Sequence, residues 1–261
     1  MPEVTAHTQG APSWAELSTT DETGALAFYS AIFGWTDDPQ PMGEENWFYH
    51  IQKLGGLEAA AIYQYQQGEE ERSAEVPPHW NIHFTVDDAD AVAEKAVQMG
   101  GSIIFGPTDV FDAGRMAMVR DRQGAVFSAW QPKAHIGARV KYDPGAMTWN
   151  ELCTSDAADA IEFYTGLLGL DRGETMTPMD YVLLRSEGVE VLGVMQITAD
   201  MGEIPPHWAV YFAVEDVDAT AAQAQSLGGS AIVPPSDIPD IGRFAVLKDP
   251  QGAVFGVFKG A

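Results

Sequence analysis

Two glutamates occupy matching places in two repeated segments of the chain, on apolar runs that predict β-strands. Glu16 lies in WAELSTTDETGALAFY (14–29) and Glu151 in WNELCTSDAADAIEFY (149–164), at an offset of 135 with eight of 16 positions identical. A carboxylate buried on such a strand tends to have a raised pKa, which suits a general base. The alternative is a carboxylate that hydrogen-bonds a neighbouring backbone group or hydroxyl and only holds its strand.

A histidine supplies the second group for acid–base chemistry. His83 follows Asn81 by two residues on another predicted strand, and an imidazole beside a carboxylate exchanges protons near neutral pH. We expect His83 to face Glu151, with Glu16 as the matching carboxylate of the other copy. The catalytic candidates are therefore Glu151, His83 and Glu16, and a histidine that only completes a cleft wall is the alternative.

The repeat extends over most of the chain and predicts two similar domains. Residues 77–90 match 205–218, and GRMAMVRDRQGAVF (114–127) matches GRFAVLKDPQGAVF (242–255) with nine of 14 identical, both at an offset of 128. The extra residues of the first copy are expected in polar loops over 37–46 and 66–75. We predict domains over 11–131 and 146–259, joined by a linker over 132–145.

Each copy contains a weaker repeat of one structural unit. Residues 16–20 predict a strand, and Asp21 is a plausible cap for a helix over Glu22–Phe33 that ends at Gly34. The same order returns over 81–99, and short β-type runs with glycine and proline between them follow each helix. The chain therefore predicts an α+β fold of four βαβββ modules, two in each domain.

Four such modules, with D-x-x-G-A-V-F on the last strand, resemble the vicinal oxygen chelate superfamily of glyoxalases, bleomycin-resistance proteins and extradiol dioxygenases. The residues that carry the resemblance are Phe28, Tyr29, Gly34, Phe163, Tyr164, Gly169, Asp121, Gly124, Asp249 and Gly252. The Pro-Pro-His-Trp and Gly-Arg-(Met/Phe)-Ala blocks are similar to a two-domain subgroup that includes a mycobacterial glyoxalase-like antigen. The resemblance implies two tandem glyoxalase-like domains whose curved mixed sheets enclose clefts, and it implies fold more strongly than reaction.

The resemblance also implies where a divalent metal would bind. In the family, His, Gln or Glu side chains on the first strand, on the matching strand of the second module and on the last strand hold it. The corresponding positions here are Trp14 and Trp149, Asn81 and Ala209, and Ser128 and Gly256. None of these side chains is a good ligand, so we expect no cofactor. A metal held elsewhere, by His79 or His207 with a carboxylate, is the alternative.

Strand alternation extends the expected cleft walls, because residues two apart share a face. We expect the preferred pocket to join Trp149, Glu151 and Cys153 of one copy to Asn81, His83, Ser128 and Trp130 of the other. The second pocket would join Trp14, Glu16 and Ser18 to Ala209, Tyr211, Gly256 and Phe258. The ligand-binding candidates are Trp14, Asn81, Ser128, Trp130, Trp149, Cys153, Tyr211 and Phe258.

The charge of the chain limits its partners. It has 14 Lys and Arg against 38 Asp and Glu, a net charge of −24, so nucleic acid and anionic membranes are not expected partners. The single cysteine, Cys153, allows no intramolecular disulfide, and no signal or membrane-spanning pattern is visible, so we expect a cytoplasmic protein. We expect Cys153 to be inert, and Arg115 and Arg243 to form structural ion pairs.

Three functions stay open at this point. The first is a metal-independent binder of a small organic molecule in an aromatic-lined cleft. The second is an enzyme of hydroxylase, lyase or isomerase type, with Glu151 and His83 as base and acid or with a non-standard metal site. The third is an interaction protein with vestigial clefts. In each case the two domains would form an intramolecular pseudo-dimer, within a monomer or a homodimer.

Overall fold

The computed structural model describes residues 2–43, 47–64, 76–177 and 180–261 and has the predicted α+β fold of four βαβββ modules. The first domain contains β1 (Pro12–Thr19), α1 (Glu22–Phe33), β2 (Thr36–Pro41), β3 (Phe48–Leu54), β4 (Leu57–Gln64), β5 (His79–Thr85), α2 (Ala89–Gln98), β6 (Ser102–Val110), β7 (Gly114–Arg120) and β8 (Val126–Pro132). The second contains β9 (Met147–Thr154), α3 (Ala157–Leu168), β10 (Asp171–Met176), β11 (Tyr181–Ser186), β12 (Val189–Gln196), a 3₁₀ turn (Ala199–Met201), β13 (His207–Ala213), α4 (Val217–Ser226), β14 (Ser230–Ile238), β15 (Gly242–Lys248) and β16 (Val254–Gly260).

The ends of the helices follow from local chemistry. The side chain of Asp21 accepts a hydrogen bond from the backbone N–H of Gly24 at the start of α1. The side chain of Asp156 accepts one from the backbone N–H of Asp159 at the start of α3. The first helix ends at Gly34 and the third at Gly169, both in the left-handed region, with φ of 71° and 73°. The predicted helix α1 is confirmed with its cap and its final glycine.

One predicted loop is wrong in part, and the other falls outside the described residues. Residues Thr36–Pro41 form β2, which pairs antiparallel with β3, whereas this segment was expected to be a polar loop. An edge strand has solvent on one side, so its polar sequence is compatible with pairing. The predicted loop over 66–75 lies outside the part of the chain that the structure describes.

Each domain forms one open, eight-stranded mixed sheet. The strand orders are β2-β3-β4-β1-β5-β8-β7-β6 and β10-β11-β12-β9-β13-β16-β15-β14. In the centre of the first sheet, β1 runs antiparallel to β5 with Glu16 opposite Asn81, and in the second, β9 runs antiparallel to β13 with Glu151 opposite Ala209. The expected cleft pairing across the two copies is therefore wrong, because the two modules of one domain share a sheet.

The helices join the two sheets through one continuous core. Phe28 and Tyr29 of α1 pack against Phe255 of the second domain, while Tyr164 of α3 packs against Phe127 of the first. The strand residues between the cleft positions point into this core, as Ala15, Leu17, Ile82, Val210 and Phe212 show. Burial against the opposite domain therefore holds the sheets together, and it leaves the other face of each sheet for the clefts.

A pair of buried tyrosine–aspartate hydrogen bonds crosses this core. The Tyr29 hydroxyl donates to Asp249 Oδ2 at 2.9 Å, and the Tyr164 hydroxyl donates to Asp121 Oδ2 at 2.9 Å. Each hydroxyl in turn accepts from an indole Nε1, that of Trp80 or that of Trp208, both at 3.1 Å. These bonds connect the first helix of each domain to the last hairpin of the other.

The same aspartates explain the D-x-x-G-A-V-F pattern. Asp121 Oδ1 accepts from the backbone N–H groups of Gln123, Gly124 and Ala125, at 2.9, 2.8 and 2.9 Å. Gly124 has a φ of 113°, which only glycine adopts without strain. One carboxylate therefore closes its own turn with one oxygen and binds the opposite domain with the other.

The segment between the domains packs along the first sheet. The N–H of Ala138 donates to the carbonyl oxygen of Ser13 at 2.7 Å, and the ring Nε2 of His7 lies 2.9 Å from the carbonyl oxygen of Ala138. Gly137 lies against Ser13 with a φ of 101°, and a Cβ there would collide with the Ser13 backbone. The predicted linker region thus covers part of the cleft face of the first domain.

The tyrosine–aspartate bonds generate a stability prediction. We expect Tyr29→Phe and Tyr164→Phe each to lower the free energy of unfolding by about 1–3 kcal/mol, because each leaves a buried carboxylate oxygen and an indole N–H without their partner. Urea denaturation measures the change. The control is Tyr142→Phe, since Tyr142 is 61% exposed. Losses as small as that of the control would contradict the role given to these bonds.

Candidate functional site

A cluster of buried polar side chains lies at the centre of the first sheet. Glu16 on β1 and His83 on β5 are in contact, with 3.0 Å between Glu16 Oε1 and His83 Nε2. Asn81 Nδ2 donates to Glu16 Oε1 at 3.3 Å and to Ser128 Oγ of β8 at 2.9 Å. Each of these side chains belongs to a residue less than one-tenth exposed. We call Glu16, Asn81, His83 and Ser128 the polar cluster.

A tyrosine and a tryptophan extend the hydrogen bonds of the polar cluster. The Tyr49 hydroxyl on β3 donates to Glu16 Oε2 at 2.8 Å, and Trp14 Nε1 donates to the Tyr49 oxygen at 2.7 Å. Burial raises the pKa of Tyr49 well above its usual value, so the phenol stays protonated as a donor. The sequence analysis missed Tyr49. Its only signal is Tyr181 in the second copy, which follows a polar stretch as Tyr49 does.

The charge state of Glu16 is set by its partners. Burial alone would raise its pKa, but the charge of His83 and the hydrogen bonds from His83, Tyr49 and Asn81 outweigh burial, so the pKa lies below the usual value. Glu16 is therefore an ionised carboxylate held in the interior. The sequence predicted a raised pKa for this residue, and that expectation is wrong because the histidine is a neighbour of Glu16 and not of Glu151.

A second histidine–carboxylate pair lies at the rim of this cleft. His135, from the segment after β8, has its Nδ1 3.3 Å from Glu58 Oε2. The His135 ring meets Trp14 edge to face at a centroid distance of 4.7 Å, and its carbonyl oxygen accepts from Trp130 Nε1 at 2.9 Å. The hydrogen bond from His135 lowers the pKa of Glu58, more strongly than partial burial raises it. The sequence analysis did not single out His135.

Several buried polar atoms around the polar cluster have no hydrogen-bond partner in the described part of the chain. They are Ser18 Oγ, His83 Nδ1, Thr85 Oγ1 and His135 Nε2. Ser18 shares a face of β1 with Glu16, and Thr85 shares a face of β5 with His83. The cleft of the first domain, which we define by the polar cluster with Trp14, Tyr49, Trp130 and His135, therefore combines aromatic walls with unused donors and acceptors.

In the matching cleft of the second domain, the polar side chains form hydrogen bonds with one another. Glu151 Oε1 accepts from the Tyr211 hydroxyl at 3.3 Å and from Cys153 Sγ at 3.6 Å, and Tyr181 also donates to this carboxylate. Trp149 Nε1 donates to the Tyr181 oxygen at 2.7 Å, as Trp14 does to Tyr49 in the first domain. Burial raises the pKa of Glu151, and these hydrogen bonds only partly oppose it.

Two glycines let tyrosine rings cover the floor of this second cleft. A Cβ at Gly193 would collide with the Tyr181 ring, and one at Gly256 would collide with the Tyr211 ring. Burial raises the pKa of the Cys153 thiol, so it stays protonated and unreactive, as expected for an inert cysteine. Phe258 lies at the edge of this face and lines a cavity of about 530 Å³ that Glu151 does not line.

The proposed pairing of Glu151 with His83 is therefore wrong. The structure brings His83, Asn81, Ser128 and Trp130 together with Glu16 and Trp14 in the first domain. It brings Trp149, Glu151 and Cys153 together with Tyr211 and Phe258 in the second. The reason is main-chain pairing, since β1 bonds to β5 and β9 to β13, whereas the two copies meet through their helices and core.

The residues present do not match a divalent metal site of the family type. Among the described residues, no group of three or more His, Cys, Asp or Glu side chains is placed to hold a metal ion. The first cleft offers one carboxylate and one imidazole in contact, with an amide and a hydroxyl as their neighbours. His79 and His207, named above as alternative ligands, have ring Nδ1 atoms 2.9 Å from the carbonyl oxygens of Pro77 and Pro205, so each of these nitrogens contacts the turn before its own strand.

The two repeated arginines form ion pairs, as expected. Arg115 and Asp90 form a bidentate ion pair, with Nε–Oδ2 and Nη2–Oδ1 distances of 2.5 and 2.9 Å. Arg243 binds Asp218 in the same way at 2.6 and 2.8 Å. Each contact connects a hairpin to the helix beside it.

The sequence profile of the Glyoxalase/Bleomycin resistance protein/Dioxygenase superfamily matches residues 11–128 and 144–257. The chain belongs to this superfamily. Each match covers one of the two sheets, so the chain is a tandem of two family units, in agreement with the predicted resemblance.

No helix among the described residues is long and apolar enough to cross a membrane.

Similar proteins extend over the whole tandem. CFP32 of Mycobacterium tuberculosis, which carries a glyoxylase name, is 42% identical over 263 residues, covering 100% of this chain and 99% of that protein. The anthracycline biosynthesis protein DnrV of Streptomyces peucetius is 35% identical over 267 residues, covering 97% of this chain and 94% of that protein. The Mn(II)-bound glyoxalase from Novosphingobium aromaticivorans has a TM-score of 0.66 at 15% identity, covering 96% of this chain and 82% of that one. This last likeness concerns the fold alone.

The opposite pKa shifts of the matched glutamates predict opposite pH dependences. The pKa of Glu16 is lowered, so its ionised form contributes stability above the usual carboxyl range, which is lost as pH falls through the folded-state pKa. The pKa of Glu151 is raised, so its contribution is present below the unfolded-state pKa and is lost as pH rises.

We therefore expect Glu16→Gln to lower the free energy of unfolding most near neutral pH, by about 1–3 kcal/mol, with the deficit shrinking in acid. Glu151→Gln should gain stability relative to the unmodified protein as pH rises above the carboxyl range. Urea titrations across this pH range measure both, with the exposed Glu94→Gln as control. Parallel pH trends for the two variants would contradict the assignment.

Proposed function

We propose that the chain binds a small aromatic organic molecule in the cleft of the first domain, without a resident metal. The observation that carries this proposal is the set of buried polar atoms without partners on one cleft face, Ser18 Oγ, His83 Nδ1, Thr85 Oγ1 and His135 Nε2. Each such atom costs about 1–3 kcal/mol when it stays unpaired. A ligand that supplies hydrogen bonds recovers this free energy.

The walls of the cleft define the class of ligand. Trp14, Tyr49, Trp130 and His135 present rings around the polar cluster, and aromatic walls with a few convergent polar groups are typical of small-molecule sites. Tyr49 and His135 are only half-buried, which supports access from their side of the cleft. One relative is named for anthracycline biosynthesis, which supports a hydroxylated polycyclic aromatic compound as the ligand.

The donor chemistry of the cleft supports binding without a metal. Glu16 uses both carboxylate oxygens on Tyr49, Asn81 and His83, so it has no oxygen reserved for a cation. The other members of the polar cluster, Asn81 and Ser128, bond to each other. This arrangement resembles a preorganised hydrogen-bonding site more than an open coordination sphere.

The second cleft is a weaker candidate because its own side chains occupy its polar groups. Tyr181, Tyr211 and Cys153 satisfy Glu151, and the tyrosine rings lie over Gly193 and Gly256. The acid–base enzyme considered from the sequence pairs His83 with Glu151, but His83 lies beside Glu16. The histidine near Glu151 is His207, whose Nδ1 faces the carbonyl oxygen of Pro205. We therefore place the function in the first domain and expect one ligand per chain.

Tryptophan fluorescence tests this proposal. We expect 2-hydroxyanthraquinone to quench the protein with saturation at one ligand per chain, equally before and after treatment with EDTA. Trp130→Phe should weaken binding by about tenfold, because it removes a wall of the cleft and the bond to His135. The matched control is Trp149→Phe, which changes the second cleft only. Loss of binding after EDTA, or an equal loss in the control, would contradict the proposal.

A further inference from the structure

Two imidazole–carboxylate pairs contact Trp130 in the first cleft. His83 pairs with Glu16 at 3.0 Å and His135 pairs with Glu58 at 3.3 Å. The centroids of the two imidazole rings lie 6.1 and 5.9 Å from that of Trp130, both rings meeting it edge to face. The second domain has Tyr211 at the position that matches His83, so this arrangement belongs to the first cleft.

In each pair, one ring nitrogen faces the carboxylate and the other has no partner in the described part of the chain. His83 uses Nε2 toward Glu16 and leaves Nδ1, whereas His135 uses Nδ1 toward Glu58 and leaves Nε2. A carboxylate on one nitrogen holds the proton there and leaves the lone pair of the other nitrogen unused. The cleft therefore contains a buried proton acceptor at His83, whose side chain is 4% exposed.

We propose that the ligands of this cleft are acidic aromatic hydroxyl compounds, which bind as the anion after passing their proton to His83. This inference rests on the proposed binding function and names the ligand class of the same site. In the step, the lone pair of His83 Nδ1 takes the proton of the ligand O–H group. The O–H electron pair stays on the ligand oxygen, and the protonated imidazole lies between that anion and the carboxylate of Glu16.

The surroundings of His83 favour this chemistry over the binding of a ligand that is already charged. Glu16 on β1 contacts His83, and Tyr49 on β3 binds the other oxygen of Glu16. Glu58 and His135 form the second pair, and His7 interacts with both His135 and the buried Lys141. With a net charge of −24, the chain as a whole repels an approaching anion. A neutral phenol crosses that field without repulsion and separates charge only once it lies beside His83.

The role of the second pair follows from its position. His135 Nδ1 faces Glu58, its Nε2 has no hydrogen-bond partner among the described residues, and its ring contacts Trp130 edge to face. His135 Nε2 is therefore a second polar contact for the ligand, while His83 accepts the proton.

The test compares two ligands that differ in one proton, 2-hydroxyanthraquinone and 2-methoxyanthraquinone. The hydroxyl compound changes its visible absorption when it ionises, and the methyl ether has no proton to lose. At a pH about one unit below the pKa of the free phenol, we expect the bound hydroxyl compound to show the spectrum of its anion. Fluorescence quenching should show binding at least about tenfold tighter than that of the methyl ether.

The variants separate the proton acceptor from its neighbours. In His83→Gln, we expect the anion spectrum to disappear and the two ligands to bind within about twofold of each other. Glu16→Gln acts through His83 as a positioning change, so it should weaken the anion spectrum and lower the affinity for the hydroxyl compound more than the affinity for the methyl ether. The matched control is Glu151→Gln, which changes the equivalent carboxylate of the second domain and should leave both readouts as they are.

The possible results distinguish this inference from the binding function itself. An anion spectrum that His83→Gln removes and Glu151→Gln retains supports the inference. Equal binding of the two ligands, with the spectrum of the neutral phenol throughout, overturns the inference and leaves the binding function standing. Absence of quenching by either ligand overturns both. Circular dichroism of each variant confirms that it is folded before the comparison is made.

Discussion

The reciprocal hydrogen bonds of Tyr29 to Asp249 and of Tyr164 to Asp121 are the constraint on which the arrangement of the two domains depends. Each aspartate closes its own hairpin turn and also anchors the first helix of the opposite domain. The apolar surroundings strengthen these bonds, and they make an unpaired carboxylate there costly. Because each helix packs on the opposite domain, the two sheets share one core, and their remaining faces become the clefts.

The two clefts share one chain of hydrogen bonds and differ in the side chains beside their glutamates. In both, an indole donates to a tyrosine, which donates to the matched glutamate. The difference lies in the neighbouring strand, where the first domain has His83 and the second has Tyr211. At Glu16 the neighbouring histidine and the hydrogen bonds outweigh burial and lower the pKa, whereas at Glu151 burial outweighs the hydrogen bonds and the attraction of His207, so the pKa rises. Two differences between matching positions, His83 against Tyr211 and Asn81 against Ala209, therefore separate a cleft with a lowered carboxyl pKa from one with a raised carboxyl pKa.

The superfamily uses this sheet for several activities, and the fold alone does not select among them. A Mn(II)-bound glyoxalase shares the fold at 15% identity, but the centre of the first cleft here contains an imidazole–carboxylate pair with an amide and a hydroxyl beside it. In our proposal, these groups recognise an aromatic ligand directly. In the same proposal, the protonated His83 stabilises the negative charge on the bound oxygen.

The sequence by itself determined the modules, the tandem repeat and which residues share a strand face, because these follow from local periodicity and turn chemistry. It placed Trp14 with Glu16, and Asn81 with His83, since alternation along a strand needs no knowledge of the rest of the chain. Only the tertiary structure decided that Glu16, and not Glu151, contacts His83. Both pairings satisfy the same apolar pattern, and the choice between them depends on which strands form main-chain hydrogen bonds. Tyr49 and His135 reach the cleft from a third strand and from the segment after β8, so their roles also depend on contacts that no local pattern encodes.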